Sequence, residues 1–338
     1  MMIIMKPDAT DEQIQHVVDR LAAVGAKAHI SRGEFVTIIG AIGDRDEIVQ
    51  LPLDAMPGVD KIMPILKPYK LASRQAHPDD TVVQVRDRAL GGGMFALIAG
   101  PCSVESEDQY LQAARQAKES GASMLRGGAF KPRTSPYSFQ GLGEDGLKIM
   151  AMAREETGLP LVTELMDPRD VEVVLKYADV IQIGTRNMQN FQLLSEVGKV
   201  ERPVLIKRGM SATIEELLMA AEYVLKEGNS NVILCERGIR TFETATRFTL
   251  DISAIPVIKK QSHLPVIVDP SHSSGKRELV LPLSLASVAV GADGLIVETH
   301  PNPEAALCDG SQSLPADEFK AYTAEVRRYV ELAGKQIS

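Results

Sequence analysis

Four side chains with the chemistry of metal ligands stand far apart in this chain: Cys102, His272, Glu298 and Asp309. A thiolate, an imidazole and two carboxylates form a mixed soft and hard donor set, which suits a first-row divalent ion such as Mn, Fe, Co or Zn. An ion that keeps one position open can polarise a carbonyl oxygen as a Lewis acid. Taken singly, Cys102 reads as a small buried hydrophobe, His272 as a loop cap and Glu298 as the partner of an arginine. Only convergence makes them a centre. His263 and His300 are weaker alternatives, the first ahead of a strand on a closed face and the second as a neighbour of metal or substrate.

A second signal is the segment RGGAFKPRTSPYSFQGLG, Arg126 to Gly143. Its paired glycines let backbone approach a ligand, and Arg126, Lys131 and Arg133 fall within eight residues of one another. Arginine forks match phosphate or carboxylate bidentately, and lysine adds a point charge. Arg186, Lys207, Arg208, Arg237 and Arg240 follow later in the chain. So many cations around one mouth would repel each other without anions to bind, so the expected ligand is small and carries more than one anionic group.

The elements that must gather these residues are eight short apolar runs between Phe95 and Pro301: FALIAGPC, SMLRGGAF, LPLVTELM, VIQIGTRN, PVLIKRG, NVILCERG, LPVIVDPSH and GLIVETHP. Enough chain separates each pair to hold one helix, as in Thr213 to Leu225, where Thr213 and Glu216 fit a capping box ahead of an apolar stripe. The pattern predicts an α/β protein with a (β/α)8 barrel, whose C-terminal strand ends surround the open mouth. Cys102, Arg126, Lys131, Glu164, Arg186, Lys207, Arg237, His272 and Glu298 fall at or just past those ends, with Asp309 in the loop after the eighth run.

Residues 1–66 follow another rhythm, βαββαβ, which is that of a ferredoxin-like sandwich. Thr10 or Asp8 is placed to cap its first helix, Asp11 to about Val24, and VDKIMPIL is its last strand. Residues 67–93 read as a linker whose hairpin plugs the barrel floor, and 94–338 as the barrel. The most apolar stretch, Leu279 to Ala292, is broken by Pro282 and Ser284 and falls short of the roughly 20 residues a bilayer requires. It reads as a buried barrel helix.

The chain has 338 residues, a formal charge of −8 and an acidic pI of about 5.4, so a nucleic-acid partner held by a basic face is excluded. Three cysteines and no leader of secretory type predict a reducing, cytoplasmic setting. Cys308 sits beside Asp309, which raises a Cys102–Cys308 disulfide in metal-stripped protein if the sulfurs meet.

Taken together, GPCSVES, LRGGAFKPRTSPYSFQGLG, IQIGTRNMQNF, LIKRG, ILCERGIRTFE, VDPSHSSGKR and CDGSQSL resemble the 3-deoxy-D-arabino-heptulosonate 7-phosphate (DAHP) synthases, and the leading domain is similar to that of the type I-beta branch. The resemblance implies condensation of phosphoenolpyruvate with erythrose 4-phosphate, the first step of the shikimate pathway. It places the phosphoenolpyruvate carboxylate on Arg126, Lys131 and Lys207, and its phosphate on Arg186 and Arg237. Arg133, Thr134 and Ser135 would take the aldose phosphate. Cys102, His272, Glu298 and Asp309 would hold one divalent metal, with Lys131 and Glu164 as proton handlers. A lysine among so many arginines is expected to have a lowered pKa.

The nearest rival is 3-deoxy-D-manno-octulosonate 8-phosphate synthase, whose members resemble KANRSS where this chain has KPRTS. A non-catalytic amino-acid-binding sensor would instead carry a damaged metal or anion set. The resemblance further implies a homotetramer and an aromatic amino acid effector, tyrosine or phenylalanine, for which His29 and Ser31 on the polar edge of KAHIS are candidates.

Overall fold

The computed structural model describes residues 1–338 apart from 34, 64–67 and 134 and the side chain of Arg45. It divides into two compact units, Met1–Pro68 and Tyr69–Ser338.

In the first unit β1 (Met2–Met5), α1 (Asp11–Ala23), β2 (Lys27–Arg32), β3 (Thr37–Ile42), α2 (Arg45–Val49) and β4 (Val59–Met63) give the expected βαββαβ order. The antiparallel sheet runs β2-β3-β1-β4. Thr10 caps α1 through a full capping box with Gln13, so of the two candidates the hydroxyl and not Asp8 satisfies the free N–H groups. Ile3, Met5 and Ile39 pack on Ile14, Val17 and Leu21. Strand alternation then turns Met2, Ile4 and Ile38 to the opposite face. The last residues assigned to VDKIMPIL lie outside the described residues.

The second unit begins with a hairpin, β5 (Val83–Val85) and β6 (Arg88–Leu90). Eight parallel strands follow: β7 (Met94–Gly100), β8 (Met124–Arg126), β9 (Leu161–Leu165), β10 (Val180–Ile183), β11 (Val204–Lys207), β12 (Val232–Glu236), β13 (Val266–Val268) and β14 (Gly294–Glu298). Pairing of β14 with β7 closes the barrel, Leu295 opposite Leu97 and Glu298 opposite Gly100. The helices are α3 (Glu107–Glu119), α4 (Glu144–Thr157), α5 (Val171–Leu175), α6 (Phe191–Gly198), α7 (Ile214–Lys226), α8 (Ala254–Gln261), α9 (Pro270–Ser274), α10 (Arg277–Ala289) and α11 (Ala316–Leu332).

Two cores divide the work. Outward-facing Leu97, Leu125, Leu161, Ile181, Val204 and Leu234 pack beneath the helices. Inward-facing Ala96, Ile98, Met124, Val162, Val180, Leu205, Ile233, Cys235, Ile267 and Ile296 fill the barrel, and Val83, Val85 and Leu90 of the hairpin join that same cluster. The interior is therefore packed solid up to a definite level. Polar chemistry begins on the next inward position of each strand.

Candidate active site

The alternation of strand residues builds the site. Two residues beyond the last apolar interior residue stand Arg126 on β8, Glu164 on β9, Gln182 on β10, Lys207 on β11, Arg237 after β12, Asp269 after β13 and Glu298 on β14. Each shares the inward parity of its strand. Residues of the other parity go into the wall: Arg208 is buried against Glu236 at 2.8 Å and Asp251 at 2.9 Å, and so is a structural ion pair and not one of the mouth's anion-binding cations. Arg240 is exposed and is not among the residues that line the mouth.

Cys102, His272, Glu298 and Asp309 do converge, with one ligand atom from each lying within 4.8 Å of all the others. The imidazole Nε2 is 3.2 Å from Glu298 Oε1 and 3.9 Å from Asp309 Oδ2, and Cys102 Sγ donates to Asp309 Oδ2 at 3.1 Å. Asp269 accepts from His272 Nδ1 at 2.7 Å, which leaves Nε2 for the centre. Burial pushes the imidazolium down, but Asp269 and Glu298 outweigh it and raise the pKa to about 9. Burial likewise disfavours the Asp309 carboxylate, yet His272, Cys102 and Arg247 hold it well below the usual range. Two carboxylates, a thiol and an imidazole so placed fit a divalent cation. Glu298 also pairs with Arg126 at 2.7 Å, so the arginine contact and the ligand geometry occur together. Asp309 itself has φ 52°, a left-handed backbone that aspartate tolerates better than most residues.

Beside the centre is a cavity of about 370 Å³ lined by Arg126, Lys131, Arg133, Ser135, Glu164, Gln182, Arg186, Lys207, Arg237, Arg247, Phe248, His272 and Asp309, among others. Arg126 and Arg237 are buried, and among the described residues each keeps a nitrogen without an acceptor, Nε and Nη1 respectively. With Lys131 and Lys207 on the same cavity, the two guanidiniums make a cationic lining that suits anionic ligand atoms. The Arg237 guanidinium lies 4.3 Å from the Phe248 ring centroid. Lys207 pairs with Asp269. Arg186 is exposed, with Pro132 O as acceptor at 3.4 Å. Arg133 reaches Cys308 Sγ at 2.8 Å, Ser135 is exposed, and Thr134 lies outside the described residues.

Lys131 Nζ donates to Cys102 O at 2.9 Å and to its Sγ at 3.0 Å. Burial pushes this ammonium down, but the Cys102 sulfur and Glu164 pull it above the ordinary lysine value despite Arg126. The expectation of a lowered Lys131 is thus overturned: the Cys102 sulfur and the Glu164 carboxylate, not the arginines, set the sign. Glu164 is fixed by Gln182 Nε2 at 3.3 Å and by close backbone approach, because a Cβ on Gly184 would stand 1.9 Å from Glu164 Oε1.

Cys102 and Cys308 are free cysteines and hydrogen-bond partners; that bond and burial push Cys102 well above the usual thiol value, and the same bond draws Cys308 down to about 6. Of the remaining candidates, His263 is held by Thr81 and Leu71 O, and buried His300 faces Glu105 Oε2 at 3.5 Å. His29 and Ser31 are exposed on β2, opposite Gly40 and Ile38, and therefore share the sheet face of Met2 and Ile4. Sequence reasoning missed Asp269, Gln182, Gln312 and Arg247. Inward parity signals the first two; a loop position carries no such signal.

Fold and mouth together define a barrel enzyme for small substrates bearing more than one anionic group. The DAHP synthetase I family model matches residues 78–333 and that of the DAHP synthase ferredoxin-like domain residues 1–67, so the chain belongs to the DAHP synthetase I family and is a carbon–carbon bond-forming enzyme of that type. It is 51% identical to the phospho-2-dehydro-3-deoxyheptonate aldolase of Thermotoga maritima over the full length of both chains. A crystal structure of phospho-2-dehydro-3-deoxyheptonate aldolase (DAHP synthase) from Thermotoga maritima superimposes with a TM-score of 0.96 at 50% identity, covering 100% of this chain and 98% of that one. The 2-dehydro-3-deoxyphosphooctonate aldolase of Syntrophotalea carbinolica is more distant, 35% identical over 72% of this chain and 94% of its own. Among the described residues no helix is long and apolar enough to cross a membrane.

Proposed function

We propose that the mouth condenses phosphoenolpyruvate with D-erythrose 4-phosphate and water to give 3-deoxy-D-arabino-heptulosonate 7-phosphate and phosphate. The observation that carries this is the gathering of four cations, Arg126, Lys131, Lys207 and Arg237, around one cavity that also reaches His272 and Asp309 of the four-residue centre. Arg126, Lys131 and Lys207 bind the carboxylate of phosphoenolpyruvate, and Arg237 and Arg186 its phosphate. Arg133, with Thr134 and Ser135, takes the distal phosphate of the aldose.

A divalent metal held by Cys102, His272, Glu298 and Asp309 would polarise the aldehyde oxygen. C3 of phosphoenolpyruvate attacks the aldehyde carbon, and Lys131, charged at neutral pH, donates the proton that makes the new hydroxyl. Water adds to the cationic C2 and loses a proton to Glu164. The C2–O bond to phosphate then breaks, phosphate leaves with the electron pair and takes up the proton of the C2 hydroxyl, and the ketone remains. The test is a phosphate-release assay with phosphoenolpyruvate and each aldose, with and without chelator. Turnover with arabinose 5-phosphate in preference to erythrose 4-phosphate would transfer the chain to the octulosonate reaction.

Arg133→Ala should raise KM for erythrose 4-phosphate far more than for phosphoenolpyruvate. A lost hydrogen bond to a charged group costs about 1.5 to 3 kcal/mol, roughly 10- to 150-fold. Steady-state kinetics against each substrate decides, and equal effects on the two would contradict the assignment.

We also propose that the first unit regulates, with an aromatic amino acid bound near His29 and Ser31, and that the enzyme works as a homotetramer in the cytoplasm. The proposed catalytic groups run from Cys102 onward, while the first unit has its own core. An effector acts only through unequal affinity for active and inactive arrangements. Removal of residues 1–68 should leave condensation intact and abolish inhibition by tyrosine or phenylalanine. Initial rates against effector for both proteins check this; persisting inhibition after truncation would move the effector to the barrel.

A further inference from the structure

The two carboxylates of the centre are each tied from behind. Glu298 turns Oε1 toward His272 Nε2 at 3.2 Å, while its other oxygen, Oε2, accepts from Gln312 Nε2 at 2.6 Å. Asp309 turns Oδ2 toward Cys102 at 3.1 Å, while its Oδ1 accepts from Arg247 Nη1 at 3.1 Å. The same Arg247 nitrogen donates to Gln312 Oε1 at 3.3 Å. The amide thus faces a carboxylate on one side and a guanidinium on the other. It presents a donor to the first and an acceptor to the second, whereas a glutamate there would repel Glu298 and an aliphatic residue would take the donor from Glu298 Oε2 and leave Arg247 with Asp309 alone. Gln312 is buried to 1% exposure in the short turn Gly310–Gln312, and its backbone N–H donates to Asp309 O at 3.3 Å.

We infer that Gln312 and Arg247 are positioning residues that select which oxygen of Glu298 and Asp309 faces the centre, and thereby set its affinity for metal. This rests on reading Cys102, His272, Glu298 and Asp309 as the metal site. Arg247 comes from the long segment between β12 and α8, whose backbone is anchored separately by Arg247 N to Ser274 O at 2.9 Å and Phe248 N to Ser273 O at 2.8 Å. Shortening its side chain therefore spares the loop. The mechanism is orientation: a carboxylate freed at its rear oxygen can rotate, and the entropy of fixing it falls on metal binding.

The test is Co(II) titration of the full-length metal-free protein, following the thiolate-to-cobalt charge-transfer band against a competing chelator. Gln312→Leu should raise Kd by roughly 10- to 100-fold and change the band envelope; Arg247→Ala should do so less, and Arg247→Lys should recover part of the loss. Thermal melts establish folding. Arg247 is 45% exposed in its side chain, so its variants decide the matter even where Gln312→Leu does not fold. Wild-type Kd and an unshifted band in the folded variants would overturn the inference while leaving the metal centre standing. A wild-type titration that Cys102→Ala leaves unchanged would instead remove the centre, and the inference with it.

Discussion

Stripping the metal should bring condensation to a halt, and adding Mn, Co or Zn should restore it. In the metal-free protein the centre is held together by protons: His272 is an imidazolium at neutral pH, its pKa raised to about 9 by Asp269 and Glu298 against the pull of burial, and Cys102 is a thiol. Metal uptake must displace both protons, so the apparent affinity should weaken as pH falls below 9, by about tenfold per pH unit for each proton released. The stability of the metal-free protein follows its own linkage. His272 has a folded pKa above its unfolded value of 6.5, so its contribution is complete below 6.5 and is lost as pH rises through about 9. Asp309 is depressed, so its contribution stands above the unfolded value of 3.8 and is lost as the solution turns strongly acid. Melting temperature against pH, with and without metal, reads both effects. Full turnover by protein that elemental analysis shows to be metal-free would falsify this account.

The strand ends were legible from residue order because each apolar run stops abruptly, and strand parity could have taken the reading further. Lys207 and Arg208 are adjacent in sequence, yet one side chain reaches the mouth and the other the wall, where Glu236 and Asp251 meet it. Counting in twos from Leu205 separates them. The same count from Ile267 selects Asp269, which in sequence reads only as the opening of a turn before proline. Lys131 departs from its expected pKa for a different reason. Its nearest charges in sequence are Arg126 and Arg133, but the pairing of β8 with β7 on one side and β9 on the other sets the segment after β8 between Cys102 and Glu164. Such neighbours from adjacent strands belong to no local pattern. Arg247 and Gln312 lie in loops, where no periodicity tells which side chains turn inward.

Asp269→Asn is the single substitution expected to damage both halves of the site at once. The carboxylate is 1% exposed, accepts from His272 Nδ1 at 2.7 Å and from His272 N at 2.8 Å, and pairs with Lys207. Burial pushes its pKa up, but His272 and Lys207 outweigh that and hold it well below the usual carboxylate range. Asparagine keeps the shape and removes the charge, leaving Lys207 and an imidazolium without their shared counter-ion in a buried place. Breaking a buried pair from one side costs about 3 to 5 kcal/mol, so the melting temperature should fall sharply. The amide also brings a donor. Turned toward His272 Nδ1, its NH2 selects the tautomer with the proton on Nε2, the nitrogen that faces Glu298 and the centre, and so blocks the metal lone pair. Metal affinity should drop by roughly 10- to 100-fold. Saturating metal should restore only part of kcat/KM, because Lys207 remains without its partner and the phosphoenolpyruvate carboxylate is held less well. Metal titration and kinetics at saturating metal separate the two losses. A folded variant with wild-type metal affinity would show that Asp269 neither orients nor charges His272, and the role given to it here would fall.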